Sequence, residues 1–274
     1  MSFKNKVVLI TGSSSGVGQS TALHFAINGA KVTIHGQNLE RLENTKKLLS
    51  DAHVLTDNIH LVCGSLEDDR VLELLINETV EKFGRLDVLV NNAGIYEKPG
   101  DLDQTSIATF DYVMTVNLRA PVILTQRSIP HLIKSKGSIV NVSSVLAHKP
   151  TFCAHFYSTS KAALEHYTKC MSLEMANTGV RVNCVQLGCM NTPFLGPVRS
   201  AMPIDLMSAY ENHLVFNTPL KRKGEGREVA EIIGFLASES ASFMTGAIVP
   251  VDGGFTSGIV MPNDYSELVS KYTT

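Results

Sequence analysis

Tyr157 and Lys161 stand four residues apart in the run Tyr-Ser-Thr-Ser-Lys. On an α-helix that spacing sets both side chains on one face, a phenol beside an ammonium. A phenol in water holds its proton to about pH 10, and a neighbouring cation favours the phenolate. Tyr157 is therefore expected to have a lowered pKa and to exchange a proton near neutral pH. The plain alternative is a surface helix that happens to carry both residues, so the weight falls on what surrounds the pair. Ser143 and Ser144 close the apolar run 137–142, and Asn117 sits inside a helical pattern. An asparagine there needs a partner, such as a displaced backbone carbonyl or a bound water.

The elements that must position these residues follow from periodicity. Residues 6–10 are a short β-branched strand, followed by Thr11-Gly12-Ser13-Ser14-Ser15-Gly16-Val17-Gly18 and a helix over 19–29. Glycines let the backbone approach a pyrophosphate, and the first N–H groups of the helix point at it; Ser13, Ser14 and Ser15 add hydroxyl donors. Residues 31–35 form a second strand and Asn38 caps a helix over 39–50. At that strand end a carboxylate would bond the adenosine 2′-hydroxyl and select NAD. Gly36 and Gln37 supply none, and Arg41 is the nearest cation, so NADP(H) is favoured over NAD(H).

Strands at 59–63, 86–90, 137–142, 180–185 and 247–251 alternate with helical patterns at 68–83, 110–133, the stretch holding Tyr157, and 228–236. The 110–133 helix is expected to kink at Pro121. Strands apolar on both faces and separated by helices imply a doubly wound, seven-stranded parallel sheet with helices on both faces, a single domain over 1–274. Ligands then collect at the carboxyl ends of the strands, where the strand order reverses. The glycine turn, the Asn91-Asn92-Ala93-Gly94 turn and Ser144 all lie on that edge. From 194 to 220 periodicity is lost among Pro197, Pro203 and Pro219, which reads as an irregular substrate lid spanning 189–220. Residues 255–274 receive no role.

The chain has 274 residues, 44% hydrophobic and 18% charged, with net charge −2. It carries no basic run of the kind that binds nucleic acid, so a small-molecule partner is expected. No signal-peptide pattern opens it and no apolar run reaches about 18 residues, from which a soluble, cytoplasmic chain without a membrane span is expected. Five cysteines without a C-x-x-C pair are expected to be buried thiols, with no metal site.

Taken together, these motifs resemble those of the classical short-chain dehydrogenase/reductase family, across nearly the whole chain. Its T-G-x-x-x-G-x-G is residues 11–18, its N-N-A-G is residues 91–94, and its Y-x-x-x-K is residues 157–161. The resemblance implies a Rossmann fold and hydride transfer between a nicotinamide cofactor and a carbonyl or secondary alcohol. It implies Tyr157 as general acid or base, Ser144 on the substrate oxygen, Lys161 tuning Tyr157 and holding the nicotinamide ribose, and Asn117 positioning a water. The candidate cofactor set is Gly12, Ser14, Ser15, Gly16, Val17, Gly18, Gln37, Asn38, Leu66, Asn91, Ala93, Gly94, Tyr157, Lys161, Gly188 and Thr192. The family further implies a homodimer or homotetramer paired through the helices of Asn117 and Tyr157. Leu187-Gly188 replaces the usual Pro-Gly, Ser65 stands where an acid toward the adenine is frequent, and Ser15 where NADP-dependent members often carry a base. Phe152, Phe156, Met190, Phe194, Leu195 and Met202 indicate an apolar pocket for a lipophilic substrate. The competing reading is a catalytically idle dinucleotide-binding sensor or scaffold, which has no physical need for the complete Asn117, Ser144, Tyr157, Lys161 set.

Overall fold

The computed structural model describes residues 1–97, 106–151, 154–195 and 203–258. Seven strands make one sheet: β1 (Val7–Ile10), β2 (Lys31–Gly36), β3 (Ile59–Cys63), β4 (Val88–Asn91), β5 (Ser138–Ser144), β6 (Arg181–Leu187) and β7 (Ile248–Val251). Their order is β3-β2-β1-β4-β5-β6-β7, and every pairing is parallel. The chain winds outward from β1 to β3, returns to the centre at β4 and winds outward again to β7. That reversal opens a crevice beyond the carboxyl ends of β1 and β4.

Among the described residues eight α-helices flank the sheet: α1 (Gly16–Ile27), α2 (Leu39–Asp51), α3 (Asp69–Phe83), α4 (Ile107–Met114), α5 (Ala120–Ser135), α6 (His155–Met175), α7 (Ile204–Phe216) and α8 (Gly226–Ala237). Successive strand residues point to opposite faces, so each strand feeds two cores. Val8 and Ile10 join Phe25, Val229 and Ile233 on one side; Val7 and Leu9 join Leu72, Leu124 and Met171 on the other. Asn38 caps α2 as its type and place foretell, its Oδ1 accepting from Arg41 N at 2.9 Å.

Four expectations need correction. The irregularity near Pro121 is a π-helical turn, Thr115–Arg119, lying ahead of the proline, which sits in the first turn of α5. Proline has no N–H to give the Asn117 carbonyl four residues back, so the α-helical ladder is interrupted there. The segment 194–220 is not wholly irregular, because the 13-residue α7 occupies its middle. Met207 is the only buried residue of α7, and exposed Ile204, Leu206 and Phe216 blur the stripe that Met207, Tyr210 and Leu214 make at helical spacing. Ile107–Ser135 is a helical run of 29 residues, long and apolar enough to cross a membrane by length and composition alone. Within it Val116, Ala120, Leu124 and Leu132 are buried in the core under the sheet. Finally, only Cys184 among the described cysteines is buried; Cys63 and Cys170 are exposed and Cys189 is half-buried.

Candidate active site

The turns after β1 and β4 are stitched to each other. Thr11 Oγ1 accepts from the N–H groups of Asn92 (3.1 Å) and Ala93 (3.0 Å), and Asn92 Nδ2 donates to the carbonyls of Thr11 (2.8 Å) and Gly12 (3.1 Å). The fit requires glycine at position 12, where φ is +65° and a Cβ would stand 2.8 Å from Ala93 Cα. Ser15 begins α1 with no side-chain cap bond, and no acid stands in the first turn. The helix therefore presents uncapped N–H groups and its positive dipole end to the crevice, a cradle for an anion. Ser13 does not add to it: its buried hydroxyl donates to the Ile10 carbonyl at 3.0 Å and accepts from His35 N at 2.8 Å.

His35, at the end of β2, was not foreseen. Its Nδ1 accepts from Gly12 N at 3.3 Å and its Nε2 lies 3.1 Å from the Gly64 carbonyl. Burial pushes its pKa down to about 4, so the ring is neutral and can accept on one nitrogen while donating on the other. The signal available beforehand was one polar residue at the end of an apolar strand.

The crevice is a cleft of about 540 Å³, lined at one end by Gly12, Ser14, Gly36, Gln37, Arg41 and Leu66. At Gly36 a Cβ would stand 2.8 Å from Ser14 Oγ, so no larger residue fits without movement. Gln37 bonds the Tyr112 hydroxyl, and its Nε2 lies 3.5 Å from Ser65 Oγ. Asn38 stands outside the cleft, its side chain spent on capping α2. Gly16 meets Thr192 from the loop after β6, with 3.2 Å from a Cβ at Gly16 to Thr192 Cβ.

At the other end Tyr157 is buried between Tyr96 and Phe194, ring centroids 5.4 and 5.7 Å away, and hydrogen-bonds Ser144. Its pKa is not lowered as the Tyr157–Lys161 spacing implied. Burial pushes it up to about 12, with the Ser144 bond opposing. Lys161 lies 5.8 Å from the Tyr157 ring centroid and donates its Nζ to the Val142 carbonyl at 2.8 Å. Burial lowers its own pKa to about 8, opposed by Cys184 and Glu165. Desolvation outweighs the Ser144 bond at Tyr157 and the Cys184 and Glu165 charges at Lys161.

Asn117 and Asn91 support the cleft from behind without lining it. Asn117 accepts from Ile95 N and donates to Ile95 O, both at 2.8 Å, and donates to Ser160 Oγ at 3.1 Å. Its side-chain amide is thus committed to the loop after β4 and to α6. Asn91 donates to Asn141 Oδ1 at 2.9 Å, tying β4 to β5. Gly94 lines the cleft, and a Cβ there would reach within 3.1 Å of Lys161 Nζ. Gly188 N donates to the Val251 carbonyl at 3.1 Å, which docks the Leu187-Gly188 turn on β7. Met190, Phe194 and Leu195 line the apolar end, joined by the unforeseen Tyr96, Tyr210 and Leu214. Phe156 packs instead on Phe110, ring centroids 5.3 Å apart, away from the cleft. Phe152 and Met202 lie outside the described residues. Among the described residues no group of three His, Cys, Asp or Glu is placed to hold a metal.

A doubly wound parallel sheet with an uncapped helix start at its switch point is the architecture that binds dinucleotides, and Ser144, Tyr157 and Lys161 line the cleft beyond it. Residues 12–256 match the family model described as enoyl-(acyl carrier protein) reductase. The meso-2,3-butanediol dehydrogenase of Serratia marcescens is 33% identical over 262 residues, covering 96% of this chain and 99% of that one. The structure of a Caenorhabditis elegans short-chain dehydrogenase/reductase of unknown function with cofactor superposes with TM-score 0.87 at 35% identity, covering 96% and 98% of the two chains. A 3-ketoacyl-(acyl-carrier-protein) reductase from Brucella melitensis complexed with NADH gives TM-score 0.81 at 30% identity, covering 93% and 100%. This chain belongs to the short-chain dehydrogenase/reductase family and is a nicotinamide-dinucleotide-dependent oxidoreductase of alcohols or carbonyls.

Proposed function

We propose that this oxidoreductase interconverts a carbonyl and a secondary alcohol on a small lipophilic substrate, with NADP(H) favoured over NAD(H). The observation that carries the reading is the convergence of Ser144, Tyr157 and Lys161 at the apolar end of a cleft whose other end is an uncapped helix start. When bound, the nicotinamide supplies or accepts the hydride. Ser144 donates to the substrate oxygen as negative charge grows there. Tyr157 gives that oxygen a proton in reduction and takes one in oxidation. Lys161, beside the Tyr157 ring, would hold the nicotinamide ribose hydroxyls. Asn117 holds the loop after β4 against α6 through Ile95 and Ser160.

Gly12, Ser14, Ser15, Gly16, Val17 and Gly18 would hold the pyrophosphate, and Gln37, Arg41 and Leu66 the adenosine. Ala93, Gly94, Gly188 and Thr192 would hold the nicotinamide side. NADP(H) preference is supported by the lack of a carboxylate at Gly36 and Gln37 and by Arg41 in the cleft. Tyr96, Phe194, Tyr210 and Leu214 support a lipophilic substrate, and the segment 189–220 with α7 is read as its lid. A cytoplasmic homodimer or homotetramer paired through α4–α5 and α6 completes the proposal; exposed Ile107, Ile133 and Leu173 on those helices support it. Calorimetric titration with NADPH and NADH under identical conditions tests the cofactor assignment. NADPH is expected to bind at least tenfold tighter, and tighter NADH would overturn it. Lys161→Ala is expected to weaken NADPH binding, and unchanged affinity would remove its ribose role.

A further inference from the structure

Glu165, a buried acid, lies behind the cleft. It is 3% exposed and sits one helical turn beyond Lys161 on α6. Its Oε1 accepts from Ser143 Oγ at 2.6 Å and from Gln186 Nε2 at 3.0 Å, while Oε2 meets the half-exposed His148 ring at Nε2. Both bonds at Oε1 are received, from the Ser143 hydroxyl and the Gln186 amide, and Oε2 faces the imidazole. A buried carboxylate without such partners would be strongly disfavoured, so the network and the charge require each other.

The partners come from three places that must be brought into register. Ser143 and Gln186 are directly paired across β5 and β6, and the next pair along is Ser144 with Leu187, immediately before Gly188. His148 follows the short turn Val145–Ala147 that leaves β5 after Ser144. Lys161 is faced by Glu165 on its own helix, by Cys184 from β6 and by the Val142 carbonyl from β5. Burial pushes the Cys184 thiol up, which keeps it neutral and leaves Glu165 as the anion among these three.

We propose that Glu165 is a positioning residue for this active site: its carboxylate clamps the Ser143–Gln186 pair and the His148 turn to α6, one helical turn from Lys161, for which it is the counter-charge. The inference rests on the roles proposed for Ser144 and Lys161, and it extends the site to a residue that touches neither substrate nor cofactor.

The test is a chemical-shift titration of the full chain labelled with ¹³Cε-lysine, the Lys161 signal assigned by its loss in Lys161→Arg. In the native chain the midpoint is expected at about 8. In Glu165→Gln, which keeps the shape and removes the charge, it falls by about one unit, and Glu165→Asp restores most of it. A Lys161 midpoint unchanged in Glu165→Gln overturns the proposal, because a purely structural residue would leave it in place. Should Glu165→Gln not fold, Ser143→Ala removes one donor and no charge. Amide hydrogen exchange at residues 186–188 then quickens at least tenfold if the clamp holds the strand ends, and native rates contradict it. Neither readout needs cofactor or substrate. Unchanged NADPH affinity in Lys161→Ala would sink the ribose assignment and leave the clamp standing, so the two failures are distinguishable.

Discussion

Gly94 shows how little room the chemistry leaves around Lys161. A Cβ at this position would come 3.1 Å from Lys161 Nζ and 3.5 Å from Asn117 Oδ1. Gly94→Ala is therefore expected to push the ammonium aside and weaken NADPH binding about tenfold, since sub-ångström displacement of a binding group is enough to cost that much; calorimetry showing native affinity would refute it. His35 gives a prediction in pH. Its folded pKa of about 4 lies below the ordinary 6.5, so as pH falls the unfolded chain takes the proton first. Its contribution to stability is complete above pH 6.5, is lost between 6.5 and 4, and amounts to about 3 kcal/mol. Urea unfolding across that window should show the decline, and in His35→Asn that share of the slope should vanish; an identical slope in the variant would contradict the role. The Tyr157–Lys161 pair was legible because helical spacing alone brings the two together. The direction of their pKa shifts was not, because desolvation depends on Tyr96, Phe194 and strand β5, which meet them only in the folded chain.

Among the elements, the π turn Thr115–Arg119 carries most of the positioning. It delivers Asn117 to both backbone groups of Ile95, in the loop that bears Gly94. Asn117→Leu leaves that N–H and carbonyl unpaired beside a side chain that is fully buried in the native protein. A loss of roughly 2–4 kcal/mol in urea unfolding is expected, together with weaker NADPH binding as the loop slackens; a variant as stable as the parent would show that the bonds to Ile95 are dispensable. Strand and helix positions were legible wherever apolar residues recur along one face, as Val71, Leu72, Leu75 and Ile76 do in α3. Helix α7 was hidden because apolar Ile204, Leu206 and Phe216 face outward and mask the inward stripe of Met207, Tyr210 and Leu214. Asn38 and Asn91 illustrate a different limit: each sits at a strand end near the cleft, yet one is consumed as a helix cap and the other bridges β4 to β5.

At the scale of the molecule, alternating apolar strands and helices were sufficient to read the doubly wound parallel sheet, and with it the edge where ligands gather. What alternation could not supply is depth. Which edge residues open into the cleft, and which lie behind it as Glu165 and Asn117 do, is settled by packing between elements distant in sequence. The proposed assembly would use the outer faces of α4, α5 and α6. Light scattering is expected to give a dimer or tetramer, with Leu173, which is 80% exposed in the single chain, buried at the interface; a monomer at micromolar concentration would remove the proposed pairing. The central claim is that Tyr157 moves the proton. Its most direct test is Tyr157→Phe assayed with NADPH against a panel of lipophilic ketones, alongside calorimetry of NADPH binding. The variant should bind NADPH as the parent does and lose about 10²-fold or more in turnover; turnover close to that of the parent would contradict the assignment.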